Sequence, residues 1–210
     1  MKVVLAAVAL IGFHAAGDAQ AATFNLQFPS VASAAIANST YGDNAHTDLS
    51  YRAIDATAFG NVTTTGSLAG WGTGYGDLTY ALWGTPNPSH AEVRINSRVA
   101  GETVTLNSFE LGGWIADEAA EWYIFDLAFN LLGSGSGIAP DAGAHLDVLP
   151  AISALDGLIL QWGSDAWDVG LNNLNFSVSG DGISAVPLPA SVLLLLGGLG
   201  ALGALRRRNT

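Results

Sequence analysis

Between residues 23 and 185, apolar side chains recur at every second position in short runs, and Gly, Pro, Asn or Asp interrupts each run before a helix could form. A period of two puts alternate side chains on opposite faces of an extended chain, so each run buries one face and wets the other. Phe24, Leu26 and Phe28 alternate before Pro29; Leu49, Tyr51 and Ala53 follow; Leu78, Tyr80 and Leu82 come after a glycine-rich loop. In the next run Ala91, Val93 and Ile95 face inward while Glu92, Arg94 and Asn96 face water. Val104 and Leu106 hold one parity and Phe109 and Leu111 the other, which places a bulge near Asn107 and Ser108. Trp122 to Leu132 is apolar on both faces, as a central strand would be; Leu158, Leu160 and Trp162 supply another strand, and Leu174, Phe176 and Val178 the last. Eight or nine short strands, separated by turn signals such as Gly133 to Gly137 (GSGSG), predict an all-β fold, a jelly-roll-like antiparallel β-sandwich. Asp117 to Ala128 has room for one short helical turn, and the alanine-rich Ser30 to Ala37 fits either state.

This stretch is long enough to bury a core of its own and reads as one domain. It holds no cysteine, so disulfides and thiolate metal sites are excluded. Its only strong bases are Arg52, Arg94 and Arg98, against seventeen Asp and Glu, a net charge of −14 with His neutral. Nucleic acid and anionic lipid both need positive charge at the contact and are not expected partners of this domain.

The two ends read differently. Met1 to Ala22 has a basic Lys2, an apolar run from Val3 to Phe13 and small residues at Ala19 and Ala21, the pattern of a cleaved secretory signal peptide. Val186 to Leu205 is uncharged over twenty residues and ends in Arg206, Arg207 and Arg208. As a helix it would span roughly 30 Å, the thickness of a bilayer's apolar core, with the arginines as a cytoplasmic stop. Pro187 and Pro189 keep the entry to this helix extended.

The tail, residues 186–210, resembles the PEP-CTERM family of sorting signals, in the variant whose signature is VPLPA, present as Val186, Pro187, Leu188, Pro189 and Ala190. Leu188 stands where the commoner form has Glu. The resemblance implies recognition by an exosortase-type membrane protease, with transient anchoring in the inner membrane of a Gram-negative bacterium and then release or re-anchoring at the surface. Val104 to Trp114 and Leu158 to Val178 are similar in style to the extracellular β-sandwich bodies that precede such tails, and to galactose-binding-like and carbohydrate-binding modules, with Gly170 to Asn173 as a turn entering the final strand.

No motif fixes a chemistry. The segment Trp71 to Gly76 (WGTGYG) is glycine-rich but lacks the Lys-Ser/Thr and the strand-to-helix setting of a phosphate loop, so it reads as a wide surface loop. Its aromatics, with Trp83, Trp162 and Trp167, could stack against sugar rings; Trp71, Tyr75 and Trp167 are the candidate contacts, while Trp114, Trp122 and Trp162 read as core. Asp43 and Asp48 (with Asn44), and Asp165 and Asp168 (with Asn172), supply the oxygen ligands of a structural calcium if the first and last strands draw their loops together; ordinary turn-forming Asp and Asn is the competing explanation. No cofactor is required. His46, His90 and His145 stand alone, and neither G-x-S-x-G nor H-E-x-x-H occurs. The expectation is an exported, non-enzymatic structural or adhesive protein of the extracellular polysaccharide layer, with a carbohydrate-binding module as alternative and a polysaccharide-active enzyme as the lesser one.

Overall fold

The computed structural model describes residues 21–28, 40–54, 59–62, 64–85, 90–163 and 165–180. They carry twelve strands: β1 (Ala22–Leu26), β2 (Thr47–Ile54), β3 (Thr64–Trp71), β4 (Ala81–Thr85), β5 (His90–Ser97), β6 (Thr103–Gly113), β7 (Glu118–Asp126), β8 (Leu131–Ala139), β9 (Leu146–Val148), β10 (Ile152–Leu155), β11 (Gly157–Gly163) and β12 (Val169–Ser179). The fold is all-β with every pairing antiparallel, and no helix occurs among the described residues. Residues 1–20 of the expected signal peptide, the 186–210 tail and Ser30 to Ala37 lie outside the described residues, while Ala22, the last residue of that expected segment, opens β1.

Two layers follow from the pairing. The front layer runs β10-β6-β12-β4-β3, with β1 alongside the second half of β12 and β9 alongside β6; the back layer runs β2-β5-β11-β7-β8. β3 pairs with β4 on one edge and β2 on the other, so it turns the corner between the layers. At the opposite side the edges β10 and β8 approach without pairing: a methyl group placed on Gly133 would lie 2.4 Å from Ile152. Inward positions of both layers meet in one core, in which Phe28, Phe109, Trp162 and Phe176 are fully buried. Each such side chain is worth about 1.5–3 kcal/mol of transfer free energy.

Several sequence expectations are met. Leu49 and Ala53, then Ala91, Val93 and Ile95, line the core from paired strands β2 and β5. The parity switch in β6 is a bulge: Asn175 pairs with Ser108 and Phe176 with Leu106, leaving Asn107 unpaired, and its Nδ2 donates to Asn175 Oδ1 at 2.8 Å.

Other expectations are corrected. The strands number twelve among the described residues, not eight or nine, because loops such as Leu146–Val148 pair as short edge strands. Trp122 to Leu132 is not one central strand: β7 ends at Asp126, whose carboxylate accepts the N–H groups of Ala128 and Asn130, and Phe129 takes φ 64° in the turn to β8. No helical turn forms there. The central strand is β11, all seven of its residues buried between β5 and β7. Gly133 to Gly137 is not a turn but the middle of β8, where Gly133, Gly135 and Gly137 face inward and leave room for Ile152, Trp122 and Leu146. A side chain at Gly135 would meet the Trp122 indole at 2.4 Å, so period-two glycine here is a packing requirement. Leu78 and Tyr80 belong to a folded-back loop, not a strand, and Gly170 to Asn173 is part of β12, with a second bulge at Asn173.

Candidate functional site

Leu82, Leu111 and Leu171 are neighbours across β4, β12 and β6 and all point into the core. Alternation then turns Ala81, Trp83, Glu110, Gly112, Gly170 and Asn172 to the outer face of the front layer. Gly112 and Gly170 are partners in register, and this side-chain-free pair lets the 72–80 loop lie flat on the sheet. A methyl group at Gly112 would stand 2.5 Å from the Tyr75 carbonyl oxygen, and one at Gly170 2.7 Å from the Tyr75 ring. The loop is fastened by its backbone: the Gly76 N–H donates to Gly113 O (2.9 Å) and the Asp77 N–H to Ala144 O (3.1 Å). Beneath it Tyr75, Leu78 and Ala81 form a second small core with Trp83 and Trp114 packed on it.

On one side of this loop lies an aromatic pocket of about 80 Å³ lined by Trp71, Tyr75, Trp83, Trp114 and Trp167. The indoles stand nearly perpendicular: Trp71 to Trp83 at 6.0 Å and 82°, Trp71 to Trp114 at 5.3 Å and 86°, Trp83 to Trp167 at 4.6 Å and 83°. Trp71 at the mouth is 37% exposed, whereas Tyr75 is buried and donates its hydroxyl to the Trp167 carbonyl. Burial, then the charges of Asp168 and Asp165, push the Tyr75 phenol well above its usual range. The Trp83 indole N–H is buried with no hydrogen-bond partner among the described residues.

The other side is a polar cleft of about 250 Å³ whose walls include Gln27, Asp77, Tyr80, Glu110, His145 and Asn173. His145 Nδ1 lies 2.7 Å from Asp77 Oδ1, and its Nε2 stands 3.3 Å from Asp147 and 3.7 Å from Glu110. The hydrogen bond to Asp77 raises the imidazole pKa above 6.5; burial opposes this, and the charges of Glu110, Asp77 and Asp147 add to the rise. Asn173, at φ 47° in its bulge, donates to Glu110 and accepts from Gln27, while the Asn172 side chain accepts the Phe28 N–H. Among the described residues, Glu110, His145 and Asp147 bring ligand atoms within 4.8 Å of one another, close enough to share a metal ion.

The calcium expectation fares differently. Asp48 pairs with Asn96, which pairs with Gly157 at one end of β11, whereas Asp165 follows Gly163 at the other end. Six residues at about 3.3 Å each separate the two groups by roughly 20 Å, so the structure does not bring them together. β1 does pair with β12, as expected of first and last strands, with Leu26 opposite Leu174, but Asp43 and Asp48 are engaged at β2 and Arg98 instead. Asp43 accepts the Leu49 N–H, and Arg98 pairs with both Asp43 and Asp48. Asp165 accepts the N–H groups of Trp167 and Asp168, which shapes the turn that presents Trp167.

Trp71, Tyr75 and Trp167 do converge, with Tyr75 as floor and not as exposed contact. Trp162 is core, as expected, and Trp122 is half-buried against it; Trp114 lines the pocket instead. The sequence did not point to Asp77, Glu110, His145 and Asp147 as a group, because they are brought together only by the loop and by β6-β9 pairing.

No family model matches this chain, and no curated protein does. Among solved structures, the chain is similar to an arabinose-bound MgGH51 α-L-arabinofuranosidase (12% identity, TM-score 0.34, covering 67% of this chain and 28% of that one). It is also similar to the enzymatically active domain of bacteriophage CBA120 tailspike protein 4 (12% identity, TM-score 0.32, 70% and 21%). The chain thus spans about a quarter of the length of these neighbours, and likeness at this level says nothing of activity.

Proposed function

We propose that this chain is an exported surface or extracellular-matrix protein with a jelly-roll-like sandwich body, processed at its VPLPA tail by an exosortase-type protease, and that it adheres to extracellular polysaccharide through the outer face of its front layer. The observation that carries the glycan contact is the aromatic pocket with the exposed Trp71 at its mouth, next to a cleft of amides and carboxylates. A sugar ring has an apolar face for an indole and hydroxyls for such polar groups. A pure spacer needs neither. The face therefore favours an adhesive, carbohydrate-binding role, with no catalysis required of it; a polysaccharide-active enzyme would have to work through Glu110, Asp147 and His145.

A glycan array probed with the exported chain tests this reading: binding that Trp71→Ala abolishes supports it, and no binding to any glycan rejects it. Release of reducing ends from a bound polysaccharide would favour the enzyme instead. For the tail, a chain ending at Ala185 is expected in the medium and not in the envelope fraction. Pro187→Ala with Pro189→Ala is expected to leave an uncut precursor in the inner membrane; equal processing on a gel would reject the sorting mechanism.

A further inference from the structure

We propose that the aromatic pocket selects amino sugars, taking the ammonium-bearing ring of a polysaccharide that contains unacetylated hexosamine in preference to N-acetylated or uronic-acid polymers. The inference rests on the reading of this face as the glycan contact surface and names the glycan's charge.

The pocket walls are indoles meeting at right angles around about 80 Å³, and a cation over an indole face is attracted by the ring's quadrupole. Neutral stacking would be satisfied by one flat ring; perpendicular walls present more than one π surface to a small group. The charge around the pocket has the matching sign. Asp165 and Asp168 flank Trp167, and Glu118 feels both of them, its pKa held up by burial and then by these two charges. Asp168 is held up in the same way, by burial and by the charge of Asp165. Across the loop, Asp77, Glu110 and Asp147 surround His145.

Among the described residues no Lys or Arg offsets these acids, and His145 is the base across the loop. The only Lys or Arg between residues 21 and 180 are Arg52, Arg94 and Arg98; the first two hold Glu92 in the back layer, and the third holds Asp43 and Asp48. A uronate would meet carboxylates on both sides of the loop. An ammonium supplies the charge the site lacks.

The test is calorimetric titration of the full chain in detergent micelles, at fixed ionic strength and pH 6, with hexamers of glucosamine, N-acetylglucosamine and galacturonate. Glucosamine hexamer is expected to bind at least about tenfold tighter than its acetylated form, and galacturonate weakest, since one unit charge beside several carboxylates is worth at least that much. Asp168→Asn and, separately, Glu118→Gln are expected to narrow the glucosamine preference and leave the acetylated hexamer unchanged. Asp156→Asn, an acid at the far end of β11, is expected to change nothing. Equal affinity for the amine and its acetylated form overturns the proposal while the glycan reading stands. So does an equal loss on Asp156→Asn, which would mean general attraction to an acidic protein. Failure of all three hexamers while a neutral polysaccharide binds overturns it too, and failure of every glycan removes the glycan reading with it.

Discussion

On the outer face of the back layer Glu92 is fully buried, yet it accepts hydrogen bonds from Arg52 (2.7 Å from Nη2), Arg94 (2.6 Å) and Gln161 (2.6 Å). On the outer face of the front layer the Trp83 N–H is buried without a partner, and Asp77, Glu110 and Asp147 share a single histidine. Both faces are roofed by loops: Gln161 fastens Gly60 through its N–H and its carbonyl, with Phe59 stacked on Tyr123, while the 72–80 loop sits on Gly112 and Gly170. The difference lies in closure. The back-layer network satisfies its charges internally and so fits a role in the fold; the front face keeps an open pocket and more acids than bases, which is why the glycan contact is proposed there.

The two faces should differ most on loss of Glu92. Glu92→Ala removes the one acceptor that Arg52 and Arg94 share and leaves two partly buried guanidinium groups without it. The expected cost is about 3–5 kcal/mol in denaturant unfolding. A loss below about 1 kcal/mol would show that the network is no more structural than a surface ion pair.

The next largest effect tests the other roof. Gly112→Ala forces a methyl group to within 2.5 Å of the Tyr75 carbonyl, which must move because the contact is with backbone. The expected cost is about 1–3 kcal/mol. Unlike the Glu92 variant, it should also shift tryptophan fluorescence, since lifting the loop opens the pocket that Trp71, Trp83, Trp114 and Trp167 line. Unchanged fluorescence would mean that the loop does not hold the indoles in place.

These two sites also show what could be read in advance. Local alternation gave the class of fold and most strands, because inward parity in β2, β5, β6, β11 and β12 is set by residues next to one another in sequence. The reading failed wherever a distant element decided the outcome. GSGSG has the composition of a turn, and only Trp122 and Leu146 packing on its glycines makes it a strand. Leu78 and Tyr80 alternate like a strand, but the paired glycines of β6 and β12 capture their loop. Trp71 and Trp167 were visible as aromatics among Gly and Asp; Trp83 and Trp114 join them only through β3-β4 pairing and the end of β6. Glu92 looked like one of three solvent-facing residues in β5, and nothing local showed that Arg52 and Gln161 would close over it.

Trp71→Ala sharpens the contrast from the functional side. Trp71 is partly exposed and makes edge contacts to two indoles, each such pair being worth about 0.5–1.5 kcal/mol, so the expected loss of stability is about 1 kcal/mol. Glycan binding should fall far more. A variant that loses stability as Trp162→Ala would, about 3–5 kcal/mol, would place Trp71 with the core instead.

The smallest effect is the pH profile, in which the two faces carry opposite signs. Burial pushes the Glu92 carboxyl up, but the hydrogen bonds from Arg52, Arg94 and Gln161 together outweigh it, and its pKa falls below 4.5. That contribution is full above pH 4.5 and is lost as pH drops through the lower folded value. His145 is raised above 6.5, chiefly by Asp77, so its contribution is full below pH 6.5 and is lost as pH rises through the folded value. Asp168 and Glu118 are held up by burial and by neighbouring acids, so their ionised forms oppose folding, and that opposition eases as pH falls towards their ordinary values of 3.8 and 4.5. Stability should therefore rise modestly as pH falls from 8 to about 5.5, with the front face as the source, and turn down below about 4.5 as Glu92 protonates. Denaturant unfolding across this range checks both limbs. His145→Gln should flatten the alkaline limb and leave the acid limb intact, while Glu92→Gln should do the reverse. If either substitution altered both limbs equally, the two faces would be one electrostatic unit, and the division between a closed structural network and an open binding face would fail.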